Sequence, residues 1–459
     1  MKKLIENSWL RACFVLMLVF FLFTASPKRK VSAQANNCDC VLNEVIFELL
    51  SPANLAAVAA QYGLNPAPLG KIGTPPTFRM QIANGQTPVQ VVAAMKNDAR
   101  IRKPEVNRKL SAAERGGLPW TNGITWSIGI TWSIGGSAKG FNKQWFPKTI
   151  RLNEAHNLRT GGSRGAGVVI AVLDTGIDLK HPAFAGKLVP GYDFVDNDSD
   201  PSELGALQQN SSYGHGTHVA GIIALTAPDA KIMPLRVLNS NGEGELWRVT
   251  TAMIWAAKNG AQIANISFGY PEDTDLLKDL IRSCDDGTTA DGKIFPEIST
   301  NRLAVIAGAG NGATSVKIYP AGEDLKGMLG VGATTRNETR AAFSNFNGQS
   351  GGDWVEVSAP GENIVSALPG GRYGMWSGTS MATPIVSGIA ALVKAKNPTL
   401  SPGQFVDRVK ETAVDIRYGT KPQIRIRRVD AFCAVMNNLD CLPPITQANN
   451  AGFENFGFE

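Results

Sequence analysis

Two regimes of hydrophobic patterning divide the chain. Between residues 41 and 110, short apolar runs separated by turn residues predict a strand at 45–49, a helix at 52–62, a strand at 78–82, a helix at 88–98 and an extended segment at 102–110. This is a small α+β unit with few core residues. From Phe141 onward the apolar runs lengthen and alternate with amphipathic stretches. Strands are predicted at 168–173, 231–237, 262–267, 303–307 and 328–333, and helices at 215–224, 246–259, 273–283, 379–396 and 402–412. Strands that are apolar on both faces and joined by helices predict an α/β fold, a mostly parallel central sheet flanked by helices. In such a sheet ligands bind beyond the carboxyl ends of the strands, so polar residues just after each strand are the first candidates for chemistry.

Between the two regimes, residues 111–140 are rich in Gly, Ser and Trp and repeat Ile-Thr-Trp-Ser-Ile-Gly at 124–129 and 130–135. Two copies of a hexapeptide are too few for a repeat architecture, and the segment reads as an exposed linker. At the N-terminus, Lys2, Lys3 and Arg11 precede an apolar run at 12–23, and Val31-Ser32-Ala33 offers small residues for cleavage. That is the layout of a secretory signal peptide at 1–33, and it implies a secreted or extracytoplasmic protein. The run is shorter than the roughly 20 residues of a spanning helix, while Lys28-Arg29-Lys30 behind it leaves an uncleaved anchor as the alternative. The resulting layout is a signal at 1–33, a small domain at 34–110, a linker at 111–140, a large domain at 141–440 and a tail at 441–459.

Composition supports a folded protein: 459 residues, 43% hydrophobic and 18% charged, suffice for a sizeable core. The net charge of +6 invites a nucleic-acid reading, but +5 of it resides in 1–33. Residues 34–140 carry +4 and residues 141–459 carry −3, so no nucleic-acid partner is indicated. Cysteine says little: Cys38 and Cys40 are too close for an ordinary bridge to each other, Cys433 and Cys441 could pair, and Cys284 has no evident partner.

Four polar residues stand where chemistry is expected. Asp174 directly follows the strand predicted at 168–173, His215 opens a helix in Gly214-His215-Gly216-Thr217-His218, and Asn311 follows Ala307-Gly308-Ala309-Gly310. Ser380, in Gly378-Thr379-Ser380-Met381-Ala382-Thr383-Pro384, lies at the mouth of an apolar helix. Exposed N–H groups and the helix dipole there favour an oxyanion. Each has a plainer reading when taken alone: turn former for Asp174 and Asn311, helix cap for Ser380. A metal reading of His215 and His218 fails on spacing, because they are three apart without a nearby H-E-x-x-H Glu or supporting Cys.

The order carboxylate, imidazole, carboxamide, serine resembles that of the subtilisin-like serine peptidases. Lys231-Ile232-Met233-Pro234-Leu235-Arg236-Val237-Leu238, Asn265-Ile266-Ser267-Phe268-Gly269 and Ala359-Pro360-Gly361-Glu362-Asn363-Ile364 extend the resemblance over roughly 144–435. It implies a triad of Asp174, His215 and Ser380, and an oxyanion hole from the Asn311 side chain and the Ser380 N–H. It also implies that Ser267, Phe268 and Gly269 pair with an extended peptide, and that Ala307, Gly308, Ala309 and Gly310 wall an uncharged specificity pocket. His218 is read as structural. The small domain resembles the ferredoxin-like inhibitory prodomain of these enzymes, which implies a zymogen cutting itself between Leu110 and Phe141.

No cofactor is implied for the chemistry. Asp193, Asp196, Asp198 and Asp200 offer oxygen ligands for a structural Ca²⁺, with a solvated acidic loop as the equal alternative. Expected partners are polypeptide substrates and the chain's own prodomain, with no stable membrane partner and a monomeric state. A lengthened approach to His215 at 204–213 and the unaligned loop from Asp285 to Pro296 depart from the family pattern. Competing readings are a maturation protease dedicated to one partner and a non-catalytic peptide-binding scaffold; the intact Asp174, His215 and Ser380 argue against the scaffold.

Overall fold

The computed structural model describes residues 38–112, 132–134, 136–158, 162–207, 209–287, 291–348, 352–418 and 424–440. The signal predicted at 1–33, most of the linker and the tail at 441–459 lie outside these residues. Strands β1 (Cys40–Leu49), β2 (Gly70–Ile72), β3 (Thr77–Gln81) and β4 (Ile101–Ala112) form an antiparallel sheet in the order β4-β1-β3-β2. Helices Leu55–Tyr62 and Pro88–Met95 cover one face, where Val45, Phe47 and Leu49 meet Val58, Val91 and Met95. This βαββαβ order is the ferredoxin-like arrangement.

Local chemistry sets the helix ends. Thr87 Oγ1 accepts the Gln90 N–H while the Gln90 side chain accepts the Thr87 N–H, a reciprocal cap that starts the second helix. The first helix stops at Gly63, whose φ of +64° suits glycine. The uncovered face of the small sheet is not left to water: Ile46 and Leu110 join the core of the large domain.

The large domain contributes β5 (Trp132–Ile134), β6 (Val169–Asp174), β7 (Tyr192–Asp193), β8 (Lys231–Arg236), β9 (Glu243–Glu245), β10 (Ile263–Ile266) and β11 (Phe268–Gly269). It continues with β12 (Ala304–Gly308), β13 (Met328–Thr334), β14 (Val357–Pro360), β15 (Ile364–Leu368), β16 (Arg372–Trp376), β17 (Val414–Tyr418) and β18 (Ile424–Arg428). Nine of them form one sheet in the order β17-β18-β14-β13-β12-β10-β6-β8-β7, parallel except for β17.

The central strands are buried on both faces, as their continuous apolar runs require. Along β6, Ile170 and Val172 enter the core shared with helices His215–Thr226 and Thr379–Lys396, while Ala171 and Leu173 enter the core shared with Leu246–Lys258 and Asp275–Asp286. From β6 the chain moves to one side for β8 and to the other for β10, so strand order reverses between β6 and β10. The crevice of a parallel sheet opens at that reversal, here beyond Asp174 and Ile266.

Two features depart from the sequence reading. The strand expected to finish at 110 runs on to Ala112, and Trp132–Ile134, in the second hexapeptide copy, pairs with β16 rather than forming open linker. Cys38, Cys40 and Cys433 are disulfide-bonded, and Cys284 is a buried free thiol. Among the described residues no helix is long and apolar enough to cross a membrane.

Candidate active site

Asp174 ends β6, where its own carbonyl accepts the N–H groups of Val237 and Leu238 and so fixes the strand end. Its Oδ1 accepts the Thr175 N–H at 2.8 Å and lies 2.7 Å from His215 Nδ1. Both side chains are withdrawn from solvent. Because an ionised carboxylate can only accept, the imidazole must donate through Nδ1, which leaves the Nε2 lone pair as a base. His215 is held at the first position of its helix by Gly214, whose φ of +90° favours glycine and where an added Cβ would meet Pro369 at 2.9 Å.

Ser380 is the second residue of the Thr379–Lys396 helix, and Pro384 lies inside that helix, in its second turn. Its Oγ donates to the Ser267 carbonyl at 3.0 Å, and Ser267 Oγ donates back to the Ser380 carbonyl at 3.2 Å. This tie fixes the serine against the segment that continues β10. The helices bearing His215 and Ser380 approach closely at Gly388, where an added Cβ would lie 2.5 Å from Thr226 Cβ.

Asn311 is oriented by the residue before the serine. Its Oδ1 accepts the Thr379 N–H at 2.8 Å and the Thr379 hydroxyl at 3.0 Å, which leaves the NH₂ as the end that can donate elsewhere. Ala307, Gly308, Ala309 and Gly310 are buried beside this helix start, and a Cβ on Gly308 would meet Thr383 Oγ1 at 3.1 Å. His218 stacks on Trp376 with centroids 4.4 Å apart and meets the Gly374 carbonyl at 3.2 Å. Burial pushes its pKa down to about 3, so it stays neutral and acts in packing.

The sequence reading missed Glu203. Its Oε1 accepts the Thr175 hydroxyl at 2.7 Å, while Oε2 accepts the Thr217 hydroxyl at 2.8 Å and the Thr217 N–H at 3.1 Å. Thr175 Oγ1 in turn accepts the Gly216 N–H at 3.0 Å. One carboxylate therefore ties the turn after Asp174 to the helix start carrying His215. Burial raises its pKa to about 7, with a push from Asp174, against the two threonines, which hold it down. The hydroxyls it joins stand one residue after Asp174 and two after His215, but nothing in the sequence links them to Glu203.

Glu203→Ala should lower kcat on the order of tenfold to a hundredfold with little change in KM, since the turn after Asp174 and the helix start carrying His215 lose their common brace. Glu203→Gln should retain most activity, because its carbonyl can accept from Thr217 and its NH₂ can donate to Thr175 Oγ1. Steady-state kinetics on a peptide substrate check both; equal losses in the two variants would contradict a positioning role.

The acidic loop does not gather its carboxylates for a cation. Arg236 Nη1 lies 2.5 Å from both Asp193 and Asp196, so a guanidinium occupies the place a metal would take. Asp198 and Asp200 accept nearby main-chain N–H groups, and among the described residues no group of three His, Cys, Asp or Glu side chains is placed to hold a metal.

Comparison with known proteins agrees with this geometry. Residues 165–452 match the Subtilase family, peptidase S8. The chain is 36% identical over 302 residues to a thermophilic serine proteinase of Bacillus sp. (strain AK1), covering 64% of this chain and 67% of that protein. It is 37% identical over 283 residues to subtilisin E of Bacillus subtilis (strain 168), covering 59% and 66%. The matches thus span about two thirds of these relatives' length. The crystal structure of fervidolysin from Fervidobacterium pennivorans, a keratinolytic enzyme related to subtilisin, covers 87% of this chain and 62% of its own with a TM-score of 0.65 at 23% identity, a likeness of fold. With Asp174 and His215 paired at the sheet's crevice and Ser380 at the facing helix start, the match over 165–452 establishes that this chain belongs to the Subtilase family of serine peptidases.

Proposed function

We propose that the chain is a secreted serine endopeptidase made as a self-processing zymogen, with residues 34–110 as its inhibitory prodomain. The observation that carries this reading is the placement of β4. Ser111 and Ala112 pair antiparallel with Gly269 and Phe268 of β11, while Lys109, Leu110 and Ser111 pair with Glu245, Gly244 and Glu243 of β9. The end of β4 is therefore the middle strand between two edges of the large domain, the manner in which a bound peptide is held by main-chain hydrogen bonds.

The register points to a scissile bond. Ser267, the residue before β11, is the one hydrogen-bonded to Ser380. Ala112 faces Phe268, one residue past Ser267, so the cut is expected one residue further along the sequence, at the Ala113–Glu114 bond. The reaction then follows from the groups at hand. As Ser380 Oγ attacks the carbonyl carbon, its proton passes to His215 Nε2, and Asp174 stabilises the imidazolium through Nδ1. The oxyanion is met by the Asn311 NH₂ and the Ser380 N–H at the helix terminus. His215 returns the proton to the departing amine; water, activated by the same nitrogen, then releases the acyl group. The uncharged residues Ala307 to Gly310 favour apolar side chains before the cut.

Mass spectrometry of the released N-terminal fragment tests this reading. A fragment ending at Ala113 is expected. An end elsewhere between Leu110 and Phe141 would retain self-processing and discard the register, whereas a chain never cut in that interval would sink the zymogen reading.

A further inference from the structure

We propose that residues 291–296, in the loop that departs from the family pattern, are a second docking surface for the prodomain, anchored by Lys293, which retains the prodomain after it has been cut. This rests on the zymogen reading and extends it beyond the substrate cleft. Lys293 is only 1% exposed, and its Nζ lies 3.0 Å from Glu48 Oε2, on a β1 residue that is itself 1% exposed. The ammonium also donates to Thr77 Oγ1 of β3 and sits 5.1 Å from the Phe295 ring centroid. A lysine of the large domain is thus buried against the small domain's sheet.

The main chain joins in. Ile294 and Thr74 exchange two backbone hydrogen bonds, at 2.8 and 2.9 Å, so the loop extends the β2–β3 turn by one rung. Gly73 makes room for the lysine stem, since a Cβ there would lie 2.8 Å from Lys293 Cε. Around this anchor runs a charged rim: Asp291 pairs with Arg102 and with Lys103 Nζ at 2.7 Å, and Lys103 Nζ also reaches Asp279 at 2.6 Å. The rim is basic on the prodomain and acidic on the large domain, matching their opposite net charges.

These contacts differ in kind from those of β4. A substrate peptide can replace β4 between β9 and β11, but it brings no counterpart of Glu48, Thr74 or Thr77. Once the chain is cut, the Lys293 contacts therefore distinguish the cognate prodomain from any other strand in the cleft. Removing Glu48 deprives the buried Lys293 ammonium of its nearest carboxylate, and removing Lys293 leaves Glu48 to Arg102, 3.3 Å away in the prodomain, whereas replacing both by apolar groups of similar volume costs little. A double-substitution cycle isolates that coupling.

The test uses the full chain, purified after self-cutting, with release of the bound prodomain followed by size-exclusion and by the rise of peptidase activity on dilution. Glu48→Leu should speed release by about a hundredfold and Lys293→Met by about tenfold, since Arg102 still faces Glu48, and the double variant should release more slowly than Glu48→Leu. Single variants that release at the parent rate, or a double variant as fast as Glu48→Leu, would overturn the proposal. Should Lys293→Met yield no folded protein, Asp291→Asn on the exposed rim decides: release a few-fold faster at low salt is expected, and unchanged release would overturn the proposal. A parent that is never cut, or is active with its prodomain still bound, removes the zymogen reading and this inference with it. A cut, inhibited parent whose release is insensitive to Lys293 removes this inference alone.

Discussion

Replacing Ser380 by alanine should leave the purified chain uncut between Leu110 and Phe141 and without measurable peptidase activity. Ser380 is the hydroxyl at the helix start whose Oγ donates to the carbonyl of Ser267, the residue before the strand that pairs with β4. Alanine removes the attacking oxygen while leaving the buried small-residue packing of the helix start intact. The fold should therefore persist, and the expected loss in kcat is on the order of 10⁶, the magnitude known for removal of the nucleophile from a subtilisin. Electrophoresis of the purified variant beside the parent checks the first part, and hydrolysis of a chromogenic peptide checks the second. A variant that still matures when pure would show that self-cleavage does not depend on Ser380.

Asp174→Asn is the second large effect. Asp174 Oδ1 serves two donors at once, the Thr175 N–H and His215 Nδ1, and the carboxylate is fully buried. Its charge therefore acts on the imidazolium with little screening by water. An asparagine that keeps its oxygen on these donors preserves the hydrogen bonds but removes the charge; one that turns its NH₂ toward His215 forces the wrong tautomer. Either way His215 is a poorer base, and a loss of about 10⁴ in kcat is expected near neutral pH, as in a serine protease of unrelated fold carrying the same substitution. KM should change little, because the edges β9 and β11, which pair with β4, do not involve Asp174. The precursor should also accumulate. A kcat within tenfold of the parent would contradict the assigned role.

The candidate site positions were legible because of the kind of sheet that carries them. Strands buried on both faces appear as unbroken apolar runs, so Asp174 and Asn311 stand out as the first polar residues beyond them, and the apolar helix pattern after Ser380 marks its own start. Glu203 was not legible, since the threonines it joins lie 28 and 14 residues away and meet only when β6 reaches the His215 helix. The acidic loop was ambiguous for the same reason: nothing local indicates that Arg236, 43 residues beyond Asp193, comes to rest between its carboxylates. Strands as short as β9 and β11 have no period to read and exist as ladder partners of β4. Lys293 carried no sign of burial, because its partner Glu48 belongs to the other domain.

The central claim is that Ser380 is the activated nucleophile, and covalent labelling tests it most directly. Processed, prodomain-free protein treated with a fluorophosphonate should carry one label, located on Ser380 by peptide mass spectrometry. Folded, processed protein that takes no label, or carries it on a different serine, would contradict the account.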